Sequence, residues 1–247
     1  MTKFPVTTAA LVAFAAVGVA RAADLPPPPP LYKAPPPMML GWTGCYLGGG
    51  GGYGMWNQDV SATTPAGVTA TTTSGGRGWF GTLQGGCDYQ ISPRIVLGAF
   101  IDGDFSDLSS TVLIPPGATA SEKESSAWAI GARAGWLVTP GLLGYVSGGF
   151  TQANFDQLNF AGPAFPGGFV ASHTYDGWFL GTGYEYALDF LPWPGIFWKT
   201  EYRYSSYGSD DLPVIGFPAT INSQKAIQTI RTEIVWRFNF WGFGGPY

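Results

Sequence analysis

Across residues 196–208, Lys199, Glu201 and Arg203 share one parity, while Trp198, Tyr202 and Tyr204 share the other. Successive side chains of a β-strand point to opposite faces, so such a segment carries one charged face and one aromatic face. The sorting recurs. Over 174–189, Trp178, Leu180, Tyr184, Tyr186 and Leu188 oppose Gly181, Gly183 and Glu185. Over 227–240, Ile230, Ile234, Trp236, Phe238 and Phe240 oppose Arg231, Glu233 and Arg237. Over 125–137, Trp128, Ile130, Ala132, Ala134 and Trp136 oppose Arg133, and over 95–106, Ile95, Leu97, Ala99 and Ile101 oppose Asp102 and Asp104. Parity is imperfect at the first strand, where Trp42 and Trp56 oppose Leu47, Tyr53 and Met55, and the segment 143–155 does not resolve.

Composition decides which face meets solvent. Only 11% of the 247 residues are charged while 45% are hydrophobic, and 37 glycines with 21 prolines disfavour an all-helical fold. A soluble barrel charges its exterior and hides its apolar face. A small barrel's lumen has no room for five strands' worth of Trp, Tyr and Phe, so the charges are expected inside and the aromatics against lipid. The net charge of −4, with scattered Lys and Arg, excludes a nucleic-acid partner. Two cysteines and one histidine exclude zinc-type and His-rich metal sites, and no cofactor is implied.

The N-terminus reads as a secretory signal peptide over 1–22: a cationic start at Lys3, an apolar stretch from Ala9 to Ala20, and the exit Ala20-Arg21-Ala22 before Ala23. Its apolar core is too short for a spanning helix, and later uncharged stretches are broken by Pro or clustered Gly. A closed β-barrel is then the structure that crosses a bilayer with its backbone satisfied. Residues 23–41, containing PPPPPLYKAPPP, read as an extended periplasmic spacer, 42–240 as an outer-membrane barrel and 241–247 as a C-terminal tail too short for a further domain.

Eight candidate strands span 42–56, 77–89, 95–106, 125–137, 143–155, 174–189, 196–208 and 227–240. The connections alternate, long at 57–76, 107–124, 156–173 and 209–226, short at 90–94, 138–142 and 190–195. Short periplasmic turns and long external loops mark an up-and-down outer-membrane barrel with both termini periplasmic. The expected fold is therefore all-β, an eight-stranded antiparallel up-and-down transmembrane β-barrel in the cell outer membrane.

Pairing the sixth and seventh strands sets Glu185 beside Lys199 or diagonal to it, and pairing the seventh and eighth brings Arg203 near Arg231 or Glu233. An ion-pair network of Asp102, Asp104, Arg133, Glu185, Lys199, Glu201, Arg203, Arg231, Glu233 and Arg237 is expected to plug the lumen. Trp79, Trp128, Trp136, Trp178, Trp198, Tyr202, Trp236 and Phe238 are the expected lipid-interface aromatics. Cys45 and Cys87 fall at one end of the first hairpin, opposite one another if it is symmetric, so a cross-strand disulfide or two free thiols are the alternatives. Ser172, His173 and Asp176 suggest nucleophile chemistry, but neighbours on a strand point apart, so Ser172 and His173 do not meet and no enzyme is expected.

GWTGCYLGGGGGYG at 41–54, GTGYEYAL at 181–188, WKTEYRYSSYG at 198–208 and TIRTEIVWRFNF at 229–240 resemble the small eight-stranded outer-membrane barrels of alphaproteobacteria, a surface-antigen group with haemin-binding members. The resemblance implies a structural, surface-exposed Gram-negative envelope protein whose partners are outer-membrane lipid, lipopolysaccharide and the barrel-insertion machinery. Host or envelope ligands would meet its long loops. The sequence departs from the pattern at Cys45, where an aromatic is usual, and in its tail WGFGGPY, which places Tyr247 at the terminus. Three other readings are a narrow porin-like channel for small solutes, a haemin-binding surface protein, and a lipid-modifying barrel enzyme acting through His173.

Overall fold

The computed structural model describes residues 41–64, 67–114, 118–161 and 168–238. The signal peptide 1–22, the spacer 23–41 up to residue 40, positions 239–240 and the tail 241–247 lie outside the described residues.

Among the described residues there are eleven strands: β1 (Gly44–Thr64), β2 (Gly67–Gln90), β3 (Ile95–Ile114), β4 (Ala118–Thr139), β5 (Leu142–Phe155), β6 (Leu158–Ala161), β7 (Phe169–Val170), β8 (His173–Ala187), β9 (Ile196–Tyr207), β10 (Asp210–Pro213) and β11 (Thr220–Phe238). Eight of them close a ring in the order β3-β2-β1-β11-β9-β8-β5-β4 and back to β3, every pairing antiparallel. Closure satisfies the backbone of each ring strand on both sides, which a lipid-facing sheet requires. The short strands β6, β7 and β10 decorate one end of the ring, called distal below.

The other, proximal end gathers the start of β1, the end of β11 and the short turns. Cys45 pairs with Phe238, Gln90 N–H donates to Thr43 Oγ1 and Trp42 Nε1 donates to Pro140 O. Ala187 N–H donates to Gly141 O, and Arg237 N–H to Gly195 O. At Gly195 the φ of +80° is one that L side chains rarely adopt, and the glycine lets the 188–195 turn close.

The strands run further than the sequence reading had them. The expected loops 57–76 and 107–124 are largely strand: β1 and β2 stay paired out to Thr64 and Gly67, and β3 and β4 to Ile114 and Ala118. These stretches are rich in Thr, Ser and Ala and lack an apolar face, so no alternation marked them. Hairpin pairing continues past the apolar band because each added residue closes its own backbone hydrogen bonds.

Outward residues form an apolar belt. Leu47, Trp79, Leu83, Leu97, Ile101, Phe105, Trp128, Ile130, Val146, Leu180, Tyr186, Ile230 and Trp236 are all exposed. The belt's distal limit lies at Met55, Trp79, Phe105, Trp128, Trp178 and Ile230, and beyond it the strand faces turn polar. In β5, where parity did not resolve, Leu143, Tyr145, Ser147, Thr151, Ala153 and Phe155 point inward, while Val146 and Phe150 point out.

Candidate functional site

Every charged residue expected in the lumen is buried there: Asp102, Asp104, Arg133, Glu185, Lys199, Glu201, Arg203, Arg231, Glu233 and Arg237. Asp88, Glu122, Glu124 and Lys225 join them, which sequence reasoning missed. Asp88 lies on β2 and Lys225 on β11, both on the inward parity; extending the parity count along the whole of each strand would have found them.

The network has a proximal group. Arg133 on β4 donates from Nε to Asp88 Oδ1 at 2.9 Å and from Nη1 to Glu185 Oε2 at 3.1 Å, and its Nη2 pairs with Asp88 Oδ2. Arg237 on β11 donates from Nε to Glu185 Oε1 at 2.7 Å, and its Nη2 stands 2.7 Å from Asp88 Oδ2. Two carboxylates and two guanidiniums therefore meet across the bore.

In the middle group, Arg203 grips Asp102 with two hydrogen bonds of 3.0 and 2.7 Å and also donates to Glu201 Oε1 at 2.8 Å. Arg231 makes the same bidentate contact to Asp104, at 3.2 and 2.9 Å, and reaches Asp102 Oδ1 at 3.3 Å. Charge-assisted bidentate pairs are the strong form of this interaction. Lys199 pairs with Glu233 at 3.4 Å and donates to Gln84 Oε1, while Tyr145 Oη donates to Glu201 Oε2 at 3.0 Å.

The expected neighbours are found: Glu185 stands opposite Lys199 in the ladder, and Arg203, opposite Thr229, is diagonal to Arg231, which opposes Glu201, while Glu233 opposes Lys199. Arg203 and Arg231 come together on the shared carboxylate of Asp102, a β3 residue from the far side of the ring.

The lumen also holds many aromatics, where the sequence reading set the bulk of them against lipid. Trp42, Tyr46, Phe100, Phe179 and Phe197 are buried in a proximal cluster and Trp56, Phe80, Phe155, Tyr175 and Tyr207 in a distal one, and Tyr145 is buried as well. Cations lie on their faces: Arg203 is 4.2 Å from the Phe179 ring centroid, Arg133 4.6 Å from Tyr46 and Arg237 4.7 Å from Trp42. The off-parity Trp42 and Trp56 are thus lumen residues. Gly86 leaves room for one of these rings, since a Cβ there would lie 2.6 Å from Tyr46 Oη and 2.7 Å from Ala99 O.

At the distal end Lys225 pairs with Glu122, its Nζ 3.6 Å from the Phe155 ring centroid and 4.6 Å from Trp56. Five residues beyond the belt limit at Ile230, its amine is pushed down to about 8, by burial first, with Glu122 and Glu124 opposing.

On the outer surface, Trp79, Trp128, Trp136, Trp178, Trp198, Tyr202 and Trp236 are exposed, and Phe238 is half-buried against Trp236. Cys45 and Cys87 stand directly opposite each other in the β1–β2 ladder and are joined by a disulfide. His173 is 3.0 Å from Asp210 and packs edge-on against Tyr175, while Asp176 accepts from Gln152 Nε2 at 2.7 Å. Ser172 and Asp176 are both exposed, and the carboxylate at the imidazole is Asp210, a partner not anticipated from the sequence. Among the described residues, no group of three or more His, Cys, Asp or Glu is placed to hold a metal ion.

A closed antiparallel ring with an apolar exterior and a charged interior defines a transmembrane β-barrel of the outer-membrane class. Residues 8–238 match the family model described as outer membrane protein beta-barrel domain, and the chain belongs to that family. It is 28% identical over 215 residues to the 31 kDa outer-membrane immunogenic protein of Brucella melitensis, covering 80% of this chain and 84% of the relative. The Brucella suis protein of the same description matches equally. Among solved structures, the outer membrane protein OprG of Pseudomonas aeruginosa aligns with a TM-score of 0.51 at 10% identity, covering 80% of this chain and 99% of that one, a likeness of fold. The protein is an outer-membrane β-barrel protein.

Proposed function

We propose that the protein is a structural, surface-exposed envelope barrel whose lumen is plugged, with no channel or enzymatic activity. One observation carries this: the bore is crossed by bidentate guanidinium–carboxylate pairs between strands that are not ladder neighbours, packed between two layers of aromatic side chains. An eight-stranded interior is only wide enough for side chains, and these fill it. Moving a solute through would separate buried ion pairs, at about 3–5 kcal/mol for each partner left uncompensated.

The shared end of the termini and the short turns supports a periplasmic proximal end, with the distal strand extensions outside the cell. The outward belt suits outer-membrane lipid and lipopolysaccharide. The last strand, with Trp236 and Phe238 near its end, is the segment the barrel-insertion machinery would engage, and the distal extensions are where host or envelope ligands would be met. His173, held by Asp210 with Ser172 exposed beside it, is a surface pair in this reading.

The test is conductance of the purified full chain in a planar bilayer: silence is expected, and discrete steps would establish a channel. Topology is checked in a C45S/C87S background. A membrane-impermeant maleimide applied to intact cells should label Asp211→Cys at the distal end and spare Asp189→Cys in the proximal turn.

A further inference from the structure

The distal end of the lumen opens into a cleft that the ion-pair network does not use. Its empty volume, counted out to the mouth and including the solvent there, is about 580 Å³. The walls are mostly apolar: Phe155, Leu158, Val170, Leu212 and Ile221 come from β5, β6, β7, β10 and β11. The short strands β6, β7 and β10 therefore build this cleft, although the ring closes without them.

The charges around it are lopsided. Glu122 is offset by the buried Lys225, whose ammonium lies under the cleft on the Phe155 and Tyr175 rings, at 3.6 and 4.8 Å. Two further carboxylates stand at the rim. Asp156 lines the mouth and is exposed, and Asp210 stands 3.0 Å behind the lining residue His173. The basic groups near them are His173, paired with Asp210, and Lys123, which acts on Asp156 but is itself held by Asp107 at 2.8 Å, so the rim keeps an excess of carboxylates. An entering carboxylate or phosphate meets this acidic rim before it reaches the apolar walls, while a cation is drawn to it. A neutral hydrocarbon fills the walls but gains nothing from the rim.

We propose that this cleft is a binding site for a small organic ammonium ion, its hydrocarbon body against Phe155, Val170 and Leu212 and its nitrogen at the rim beside Asp156. The Phe155 ring adds an aromatic surface for the body of an aryl guest. Lys225 and Glu122 close the bottom, so the guest enters and leaves by the mouth. Binding is a property of the cleft whether or not the lumen conducts.

The test uses the full-length mature chain in zwitterionic nanodiscs, with empty discs subtracted, and isothermal titration of three probes sharing one body: 4-phenylbutylamine, 4-phenylbutanol and 4-phenylbutyrate. The amine is expected to bind at least fivefold more tightly than the alcohol, with the carboxylate weakest. Asp156→Asn should bring amine and alcohol within about twofold. Val170→Trp, which fills the cleft, should abolish binding of all three while the heat-dependent gel mobility of the barrel stays as in the wild type; Leu212→Trp replaces it if that mobility changes. Equal affinities or preference for the carboxylate in the wild type, an amine preference that survives Asp156→Asn, or binding that survives the filled cleft would each overturn the proposal.

Discussion

Glu185 and Lys199 stand directly opposite each other in the β8–β9 ladder, yet neither takes the other as its ion-pair partner. Glu185 is held by Arg133 and Arg237, and Lys199 by Glu233 and Gln84. Register makes them neighbours, but in so narrow a bore the longer guanidiniums from other walls reach the Glu185 carboxylate and grip it more strongly than a lysine would.

Arg133 should therefore be the costliest lumen charge to remove. Arg133→Met leaves Asp88 and Glu185 with Arg237 alone, and is expected to destabilise the barrel by about 3–5 kcal/mol. Arg94→Met, at an exposed turn residue 6.0 Å from Trp136, should shift stability by less than about 0.5 kcal/mol. Urea titrations followed by the mobility difference between folded and unfolded forms measure both.

The disulfide closes the first hairpin across a sequence separation of 42. Cys45→Ser with Cys87→Ser is expected to lower stability by about 2–4 kcal/mol through the freer unfolded chain. Alkylation of the unreduced mature protein under denaturing conditions should add no thiol adduct by mass spectrometry; two adducts would mean that the bridge does not form.

Glycine separates into positions that are filled and positions that are open. At Gly86 a Cβ would meet Tyr46 Oη at 2.6 Å and Ala99 O at 2.7 Å, so Gly86→Ala should destabilise by about 1–3 kcal/mol. At Gly103 nothing lies within 4 Å, and Gly103→Ala should be neutral or slightly stabilising. Thermal unfolding midpoints of the two variants give the comparison.

Lys225 should impose a rise of stability with alkaline pH. Its folded value of about 8 lies below the ordinary 10.5, so between these values the unfolded chain binds the extra proton and raising the pH favours the fold. The gain amounts to roughly 3 kcal/mol at most, at 1.36 kcal/mol per pH unit. Glu122 and Glu124 face the amine from β4, and the hydroxyl of Tyr175, whose ring lies beside it, is raised above its usual value of 10. The slope between pH 8 and 10 is therefore assigned to Lys225. Urea midpoints across that window should climb in the wild type and stay flat in K225M/E122Q; equal slopes would remove Lys225 as the source.

Much of the barrel was legible in the residues. Parity separates Trp198 and Tyr202 from Lys199 and Glu201, because strand geometry alone sends neighbours to opposite faces, and the ring turns the charged face inward. The turn chemistry at 92–93, 140–141 and 192–195 marks hairpin ends that remain short. The strands' distal continuation was not legible, since Thr- and Ser-rich extensions are polar on both faces and only their partners hold them in a ladder.

The lumen itself escaped the sequence for a different reason. Phe100 and Phe179 share parity with charged residues of their strands, Tyr145 lies on a strand with no charge to mark its inward face, and nothing local tells an inward ring from an exception to the pattern. Arg203 meets Asp102 across 101 residues of chain, and Lys225 meets Glu122 across 103. Such distances are joined only when the ring closes. The sequence by itself determined that five of the strands have a lipid face and a charged face. Which acid holds which base and which rings lie between them were decided by closure, because eight tilted strands bring side chains from different walls to a common axis that no local pattern encodes.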